Sequence, residues 1–258
     1  MSERQTVLVT GGSSGIGRAA ALRFAREGAR IAMLARGEER LEEARAEVES
    51  AGGEALCLAA DVSREEDVLR VVRAVDERWG RLDTVLANAG INGVWAPLEE
   101  LELADWERTL TNNLTGTFLT VKHALPLMKR GGGGSIVVTS SVNGTRMFSN
   151  TGATAYACSK GGQVIFVKMT ALELARHGIR INVICPGWIE TDISSSTERR
   201  DLEHVRLEVE FPEGKVPLTG ESPGRPEQVA DLIAFLASDA ASHITGTEVW
   251  IDGGQSLL

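Results

Sequence analysis

The chain has 258 residues, a formal net charge of −9 and a hydrophobic fraction of 43%. This length suits one large α/β domain or two small ones, and the acidic charge argues against nucleic acid and anionic membranes as partners. The sequence shows no secretory signal at its start and no apolar run long enough to span a membrane.

Short apolar runs alternate with longer amphipathic runs along the chain. Residues 6–10 (TVLVT) predict a buried strand, and residues 15–28 predict a helix that ends at Gly28. Further strands are predicted at residues 30–35, 54–62, 82–90, 135–141, 179–187 and 245–254. Further helices are predicted at residues 38–53, after a capping box of Ser63 and Glu66, at about 103–130, at about 154–176 and from Pro226 onward. The glycine run at 131–134 predicts a flexible loop.

This alternation is typical of βαβ units, which build a parallel sheet with helices on both faces. No change of composition marks a linker, so we predict a single doubly wound α/β domain over residues 1–258 with about seven strands. Ligands of such sheets bind beyond the carboxyl ends of the strands. The polar segment 191–222 has no clean period, and we expect it to form a lid over a substrate.

The three cysteines, Cys57, Cys158 and Cys185, are widely spaced and form no metal-binding pattern. We therefore expect no metal site, and reduced thiols in a cytoplasmic protein.

A glycine-rich turn, TGGSSGIG at residues 10–17, follows the first strand and opens the first helix. Its glycines, Gly11, Gly15 and Gly17, allow a tight turn and close approach of a ligand to the backbone. The amides at a helix N-terminus attract a pyrophosphate, so the turn predicts dinucleotide binding. An ordinary glycine-rich loop is the alternative.

Tyr156 is the one tyrosine of the chain, and Lys160 follows four positions later in the stretch YACSK. Residues with this spacing share one face of a helix. An ammonium beside a phenol favours the phenolate, so we predict that Lys160 lowers the pKa of Tyr156.

Six motifs occur in one order, namely TGGSSGIG, Asn88-Ala89-Gly90, Asn113, Ser141, Tyr156 with Lys160, and Pro186-Gly187. Together they resemble the single-domain branch of the short-chain dehydrogenase/reductase family, similar to 3-oxoacyl-carrier-protein reductase-like carbonyl reductases. The resemblance runs from Thr6 to Gly254. It implies an NAD(P)-binding Rossmann domain, hydride transfer between nicotinamide and a carbonyl or secondary alcohol, and the family's usual homotetramer. Close helix approach in that tetramer would account for Gly161 and Gly162 inside a helix.

The resemblance also implies a catalytic role for four residues. Tyr156 would be the proton donor or acceptor, and Lys160 would contact the nicotinamide ribose as well. Asn113 would position a water near the lysine. Ser141 would hold the substrate carbonyl; Ser140 competes on position alone, and the family pattern selects Ser141. The gap from Ser141 to Tyr156 is about two residues longer than in many members.

The cofactor-binding residues implied by the motifs lie after the strand ends. They are Gly11, Ser13, Ser14, Gly15, Ile16, Gly17, Arg36, Asp61, Val62, Asn88, Gly90, Tyr156, Lys160, Pro186, Gly187, Ile189 and Thr191. Arg36 stands where a carboxylate would select NAD(H), and its guanidinium can pair with a 2′-phosphate. We therefore predict NADP(H), with NAD(H) as the alternative, although Ser14 occupies a place that is basic in many NADP-preferring members.

The predicted substrate pocket is apolar and partly aromatic, formed by Val94, Trp95, Asn143, Met147, Phe148 and Trp188. Packing alone would equally account for the two tryptophans. Ketones, 3-oxoacyl thioesters, secondary alcohols and sugars all remain open as substrates.

Three other functions were weighed for this fold. An enoyl reductase calls for a wider spacing of tyrosine and lysine, and a halohydrin dehalogenase for an arginine in place of Lys160. A catalytically silent dinucleotide sensor or scaffold protein is the alternative from a different class. Such proteins usually lose part of the catalytic set, all of which stands here.

Overall fold

The structure, a computed structural model, describes residues 4–205 and 214–258. Its strands, numbered in chain order, are β1 (Thr6–Thr10), β2 (Arg30–Ala35), β3 (Glu54–Ala59), β4 (Thr84–Ala87), β5 (Gly93–Trp95), β6 (Gly134–Thr139), β7 (Ile179–Pro186), β8 (Thr197–Arg199) and β9 (Glu248–Ile251). Seven of them form one parallel sheet in the order β3-β2-β1-β4-β6-β7-β9. The order reverses between β1 and β4, which creates a crevice at their carboxyl ends.

The helices are α1 (Gly15–Ala25), α2 (Glu38–Ser50), α3 (Glu65–Trp79), α4 (Leu103–Leu110), α5 (Gly116–Arg130), α6 (Thr154–Ala175) and α7 (Pro226–Ala237). One apolar core joins the sheet to α3, α5 and α6, and a second joins its other face to α1, α2 and α7. Every side chain of β1 is buried because both faces of this central strand are covered. The predicted single sheet with helices on both faces is confirmed.

A second, two-stranded sheet lies over the carboxyl ends and was not predicted. Its strands, β5 and β8, pair in parallel, with Gly93 opposite Thr197 and Trp95 opposite Arg199. The strand β8 belongs to the segment 191–222 that was predicted as a lid. Residues 206–213 of that segment lie outside the described residues.

The predicted capping box of Ser63 and Glu66 is wrong. The helix α3 begins at Glu65, and Arg64 is its N-cap. The Ser63 hydroxyl instead donates to Oδ1 of Asp61 at 2.7 Å, and the Ser63 amide donates to the same oxygen. The Ser63 hydroxyl is thus engaged in a local turn with Asp61 and does not cap α3.

The helix predicted over 103–130 is interrupted by a π-helical segment, Thr111–Thr115, between α4 and α5. A Cβ on Gly162 of α6 would lie 2.8 Å from Cδ2 of Leu114 in this segment, and one on Gly161 would lie 3.2 Å from the carbonyl oxygen of Gly144. Contacts within the chain therefore account for both glycines, so no contact between subunits is needed to explain them. The predicted loop at 131–134 is shorter by one residue, because Gly134 already begins β6.

Among residues 4–205 and 214–258, none of the helices has the length and apolar character needed to cross a membrane. The same residues include no cluster of three or more metal-ligating side chains. All three cysteines are free thiols.

Candidate active site

A cleft of about 450 Å³ opens at the carboxyl ends of β1, β2, β4, β6 and β7. Most of the predicted site residues converge on it. Those that line it are Gly11, Ser14, Gly15, Ile16, Arg36, Asn88, Gly90, Trp95, Ser141, Asn143, Met147, Tyr156, Lys160, Pro186, Gly187, Trp188, Ile189 and Thr191. The predicted residues outside its wall are Ser13, Gly17, Asp61, Val62, Val94, Asn113 and Phe148.

The glycine turn brings the N-terminus of α1 to the cleft. Ser14 is extended, with φ −156° and ψ 168°, and α1 begins at the next residue. A Cβ on Gly17 would lie 2.2 Å from the carbonyl oxygen of Gly11, so only glycine permits this close approach. Asn88 fixes the turn from the side, because its Nδ2 donates to the Thr10 carbonyl at 3.2 Å. Exposed amides beside a close-packed backbone fit a pyrophosphate group.

Two arginines line the cleft beyond β2. Arg36 was predicted, whereas Arg40 was missed. The signal for Arg40 was available, because it lies in the first turn of the helix that follows Arg36. Arg40 also lies 3.9 Å from a carboxylate oxygen of Asp192, which is the one acidic side chain lining the described cleft. This end of the cleft therefore fits an additional anionic group.

Tyr156 and Ser141 form the reactive end of the cleft. Their exposed fractions are 8% and 7%, and both hydroxyls face the cleft. Burial raises the pKa of Tyr156, and the nearby Ser141 hydroxyl opposes that rise. The adjacent hydroxyl of Ser140 points elsewhere and donates to the Lys160 carbonyl at 2.8 Å.

Lys160 is 2% exposed and lies one turn after Tyr156 on α6. Its Nζ donates to the Thr139 carbonyl at 2.8 Å and lies 5.6 Å from the centre of the Tyr156 ring. Burial lowers the pKa of Lys160 to about 8. The predicted lowering of the Tyr156 pKa is wrong in direction, because desolvation of the phenolate outweighs the other influences on it.

Asn113 lies behind the cleft in the π-helical segment and is completely buried. Its Oδ1 accepts from the Ile91 amide at 2.8 Å, and its Nδ2 donates to the Ile91 carbonyl and to Oγ of Ser159, each at 2.9 Å. The side chain thus fixes the loop after β4 to α6. Ser159, which sequence reasoning missed, is the link on the α6 side.

Two predicted substrate-pocket residues lie outside the cleft. Val94 is 1% exposed and faces away from it, because alternation along β5 directs Trp95 into the cleft instead. Phe148 is 75% exposed and does not line the cleft. Sequence reasoning missed several polar residues of the wall, which are Asn92, Asn150, Ser195, Ser196 and Gln255. Their positions depend on loop conformation and on the pairing of β5 with β8.

Comparison with known proteins decides the family. A family model described as Enoyl-(Acyl carrier protein) reductase matches residues 11–256. Levodione reductase of Leifsonia aquatica is 40% identical over 257 residues, which cover 98% of this chain and 94% of that protein. The chain belongs to the short-chain dehydrogenase/reductase family.

Other members of this short-chain dehydrogenase/reductase family are similar over nearly the whole chain. Glucose 1-dehydrogenase 2 of Bacillus subtilis (strain 168) is 35% identical over 255 residues, covering 98% of this chain and 95% of that protein. A crystal structure of a 3-ketoacyl-ACP reductase from Sinorhizobium meliloti 1021 has a TM-score of 0.94 at 49% identity, covering 98% of this chain and 99% of that one. The chain is accordingly an NAD(P)-dependent oxidoreductase of carbonyl and alcohol groups, which favours an enzyme over a silent sensor or scaffold protein.

Proposed function

We propose that this short-chain dehydrogenase/reductase interconverts a small-molecule carbonyl and its secondary alcohol, with Tyr156 as the proton donor and acceptor. One observation carries the proposal: the buried side chains of Ser141, Tyr156 and Lys160 line the same end of one cleft. A bound nicotinamide dinucleotide supplies or accepts the hydride. As negative charge develops on the carbonyl oxygen, Ser141 donates a hydrogen bond and Tyr156 transfers its proton.

The surrounding residues hold the reactants. The glycine turn, including Gly15 and Ile16, would hold the pyrophosphate of the dinucleotide, and Thr191 would hold its nicotinamide carboxamide. Lys160 would hold the nicotinamide ribose and stabilise the phenolate as it forms. Asn113 acts as a positioning residue, supported by its paired hydrogen bonds with Ile91. Its role in positioning a water near the lysine, and those of Asp61 and Val62 toward adenine, remain predictions.

NADP(H) is the preferred cofactor in this proposal, and NAD(H) is the alternative. The support is a pair of cleft-lining arginines, Arg36 just after β2 and Arg40 in the first turn of α2. A guanidinium pairs with phosphate oxygens through parallel hydrogen bonds, and Arg40 adds a second positive charge to the cleft wall.

A homotetramer also belongs to this proposal. Large apolar side chains are exposed on neighbouring helices of one layer, with Phe118 on α5 and Ile165, Met169 and Leu172 on α6. Exposed apolar side chains grouped on adjacent helices in this way are typical of an interface between subunits. Sedimentation of the purified protein measures the mass of the assembly directly. Cytoplasmic location likewise stays a prediction.

The catalytic assignment is tested with Tyr156→Phe. Because phenylalanine keeps the ring and removes the proton, we expect turnover of carbonyl substrates to be abolished while the fluorescence of bound NADPH persists. Ser141→Ala should lose far more activity than the matched Ser140→Ala, since the Ser140 hydroxyl is engaged by the Lys160 carbonyl. Substantial turnover by Tyr156→Phe on a panel of ketones would overturn the assignment.

A further inference from the structure

Asn143 differs from the two fully buried asparagines of the described chain. The carboxamides of Asn113 and Asn182 are each paired with backbone groups through both oxygen and nitrogen. Asn143 is 7% exposed and lines the cleft, yet its carboxamide has no hydrogen-bond partner within residues 4–205 and 214–258 and is not sealed from the cleft. Because this carboxamide faces the cleft and makes no hydrogen bond to the described residues, it is available to pair with a ligand.

The position of Asn143 ties it to the reacting group. Asn143 lies in a short 3₁₀ segment, Val142–Gly144, and its backbone amide donates to Oγ of Ser141 at 3.2 Å. The carboxamide therefore belongs to a residue only two positions after Ser141, the proposed partner of the substrate carbonyl. A second polar group of the substrate would have to lie within a few bonds of the reacting carbon to reach it.

The charge of the cleft wall restricts what this second group is. Among the described lining residues, the ionisable side chains are Arg36 and Arg40 with Asp192, and Tyr156 with Lys160. The first three surround the end of β2, and the last two are used at the reacting carbonyl. No cation is left for a substrate carboxylate or phosphate among the lining residues that the structure describes, which favours an uncharged group as the partner of the amide.

We propose that Asn143 selects substrates with a second uncharged oxygen, a hydroxyl or a carbonyl, close to the reacting carbon. This proposal rests on the function proposed above. A carboxamide both donates and accepts, so it pairs with either kind of oxygen. The apolar side chains of Trp95, Met147 and Trp188 cover the carbon skeleton between the two polar groups.

The test uses alcohols that differ only in a second hydroxyl. Oxidation of cyclohexanol and of 1,2-, 1,3- and 1,4-cyclohexanediol is followed by cofactor reduction. We expect the wild-type enzyme to prefer at least one diol over cyclohexanol by roughly 10-fold in kcat/KM, the size of effect of one hydrogen bond made in the transition state. In Asn143→Ala and Asn143→Leu, the kcat/KM for the preferred diol divided by the kcat/KM for cyclohexanol should fall by roughly 5-fold or more.

The matched control is Phe148→Ala, which alters an exposed side chain of the same loop and should keep the wild-type ratio. A wild-type enzyme that oxidises cyclohexanol at least as well as every diol overturns the role of Asn143 while leaving the proposed function intact. The role is equally overturned if the ratio is unchanged in both Asn143 variants. Absence of turnover of all four alcohols and of a ketone panel would overturn the proposed function itself.

Discussion

Replacing Lys160 by methionine removes a buried ammonium while keeping a flexible chain of similar length. The ammonium is 2% exposed, and burial lowers the pKa of Lys160 from 10.5 to about 8. Between these two values the unfolded chain binds a proton that the folded chain has lost. The free energy of unfolding of the wild-type protein should therefore rise with pH across this window, whereas the methionine variant lacks this contribution.

The magnitude follows from the two pKa values. Below the folded-state value, keeping the ammonium buried costs about 3 kcal/mol relative to the unfolded chain. Integrating the difference in bound protons from pH 7 to pH 9.5 recovers about 2 kcal/mol of that cost in the wild type. The unfolding free energy of Lys160→Met minus that of the wild type should therefore fall by about 2 kcal/mol from pH 7 to pH 9.5. The variant also loses the hydrogen bond to the Thr139 carbonyl, but this loss changes that difference by the same amount at both pH values.

Urea denaturation of both proteins at pH 7 and pH 9.5 measures this difference. Lys129→Met is the matched control, because Lys129 is exposed at the end of α5, and it should follow the wild type at both pH values. An unfolding free energy of wild type minus that of Lys160→Met that is equal at both pH values, or that falls as pH rises, would refute the reasoning. It would mean that the ammonium is hydrated in the folded protein.

Three further substitutions test the cofactor end of the cleft. Gly17→Ala would place a Cβ 2.2 Å from the Gly11 carbonyl oxygen. We therefore expect NADPH binding, measured by fluorescence titration, to weaken by at least ~10-fold. The control Gly131→Ala should bind NADPH normally, because its Cβ would lie 3.4 Å from the nearest atom. Arg36→Ala should lower the ratio of kcat/KM for NADPH to that for NADH by roughly 10- to 100-fold, the contribution of a charge-assisted hydrogen bond. Arg40→Ala should lower it less, and an unchanged ratio in Arg36→Ala would contradict the assignment.

Sequence patterns predicted the main sheet because its strands are buried on both faces and its helices have long amphipathic stretches. They missed β5 and β8, since three-residue strands carry no measurable periodicity and pair across residues distant in sequence. Val94 and Phe148 lie outside the described cleft for a related reason, because the side of a short strand or loop that faces the cleft depends on tertiary pairing. The direction of the Tyr156 pKa was missed because a sequence shows neighbouring charge but not the depth of burial.

The close contacts of Gly161 and Gly162 explain why a glycine pair stands in the middle of the helix that carries Tyr156. Each glycine weakens a helix by roughly 1 kcal/mol relative to alanine. In return, Leu114 packs against Gly162, and the Gly144 backbone approaches Gly161. A side chain at either glycine would crowd these neighbours. The turn bearing Ser141 and the π-helical segment bearing Asn113 thus meet the same two turns of α6. The local loss of helix propensity is offset by the positioning of groups that lie far apart in sequence.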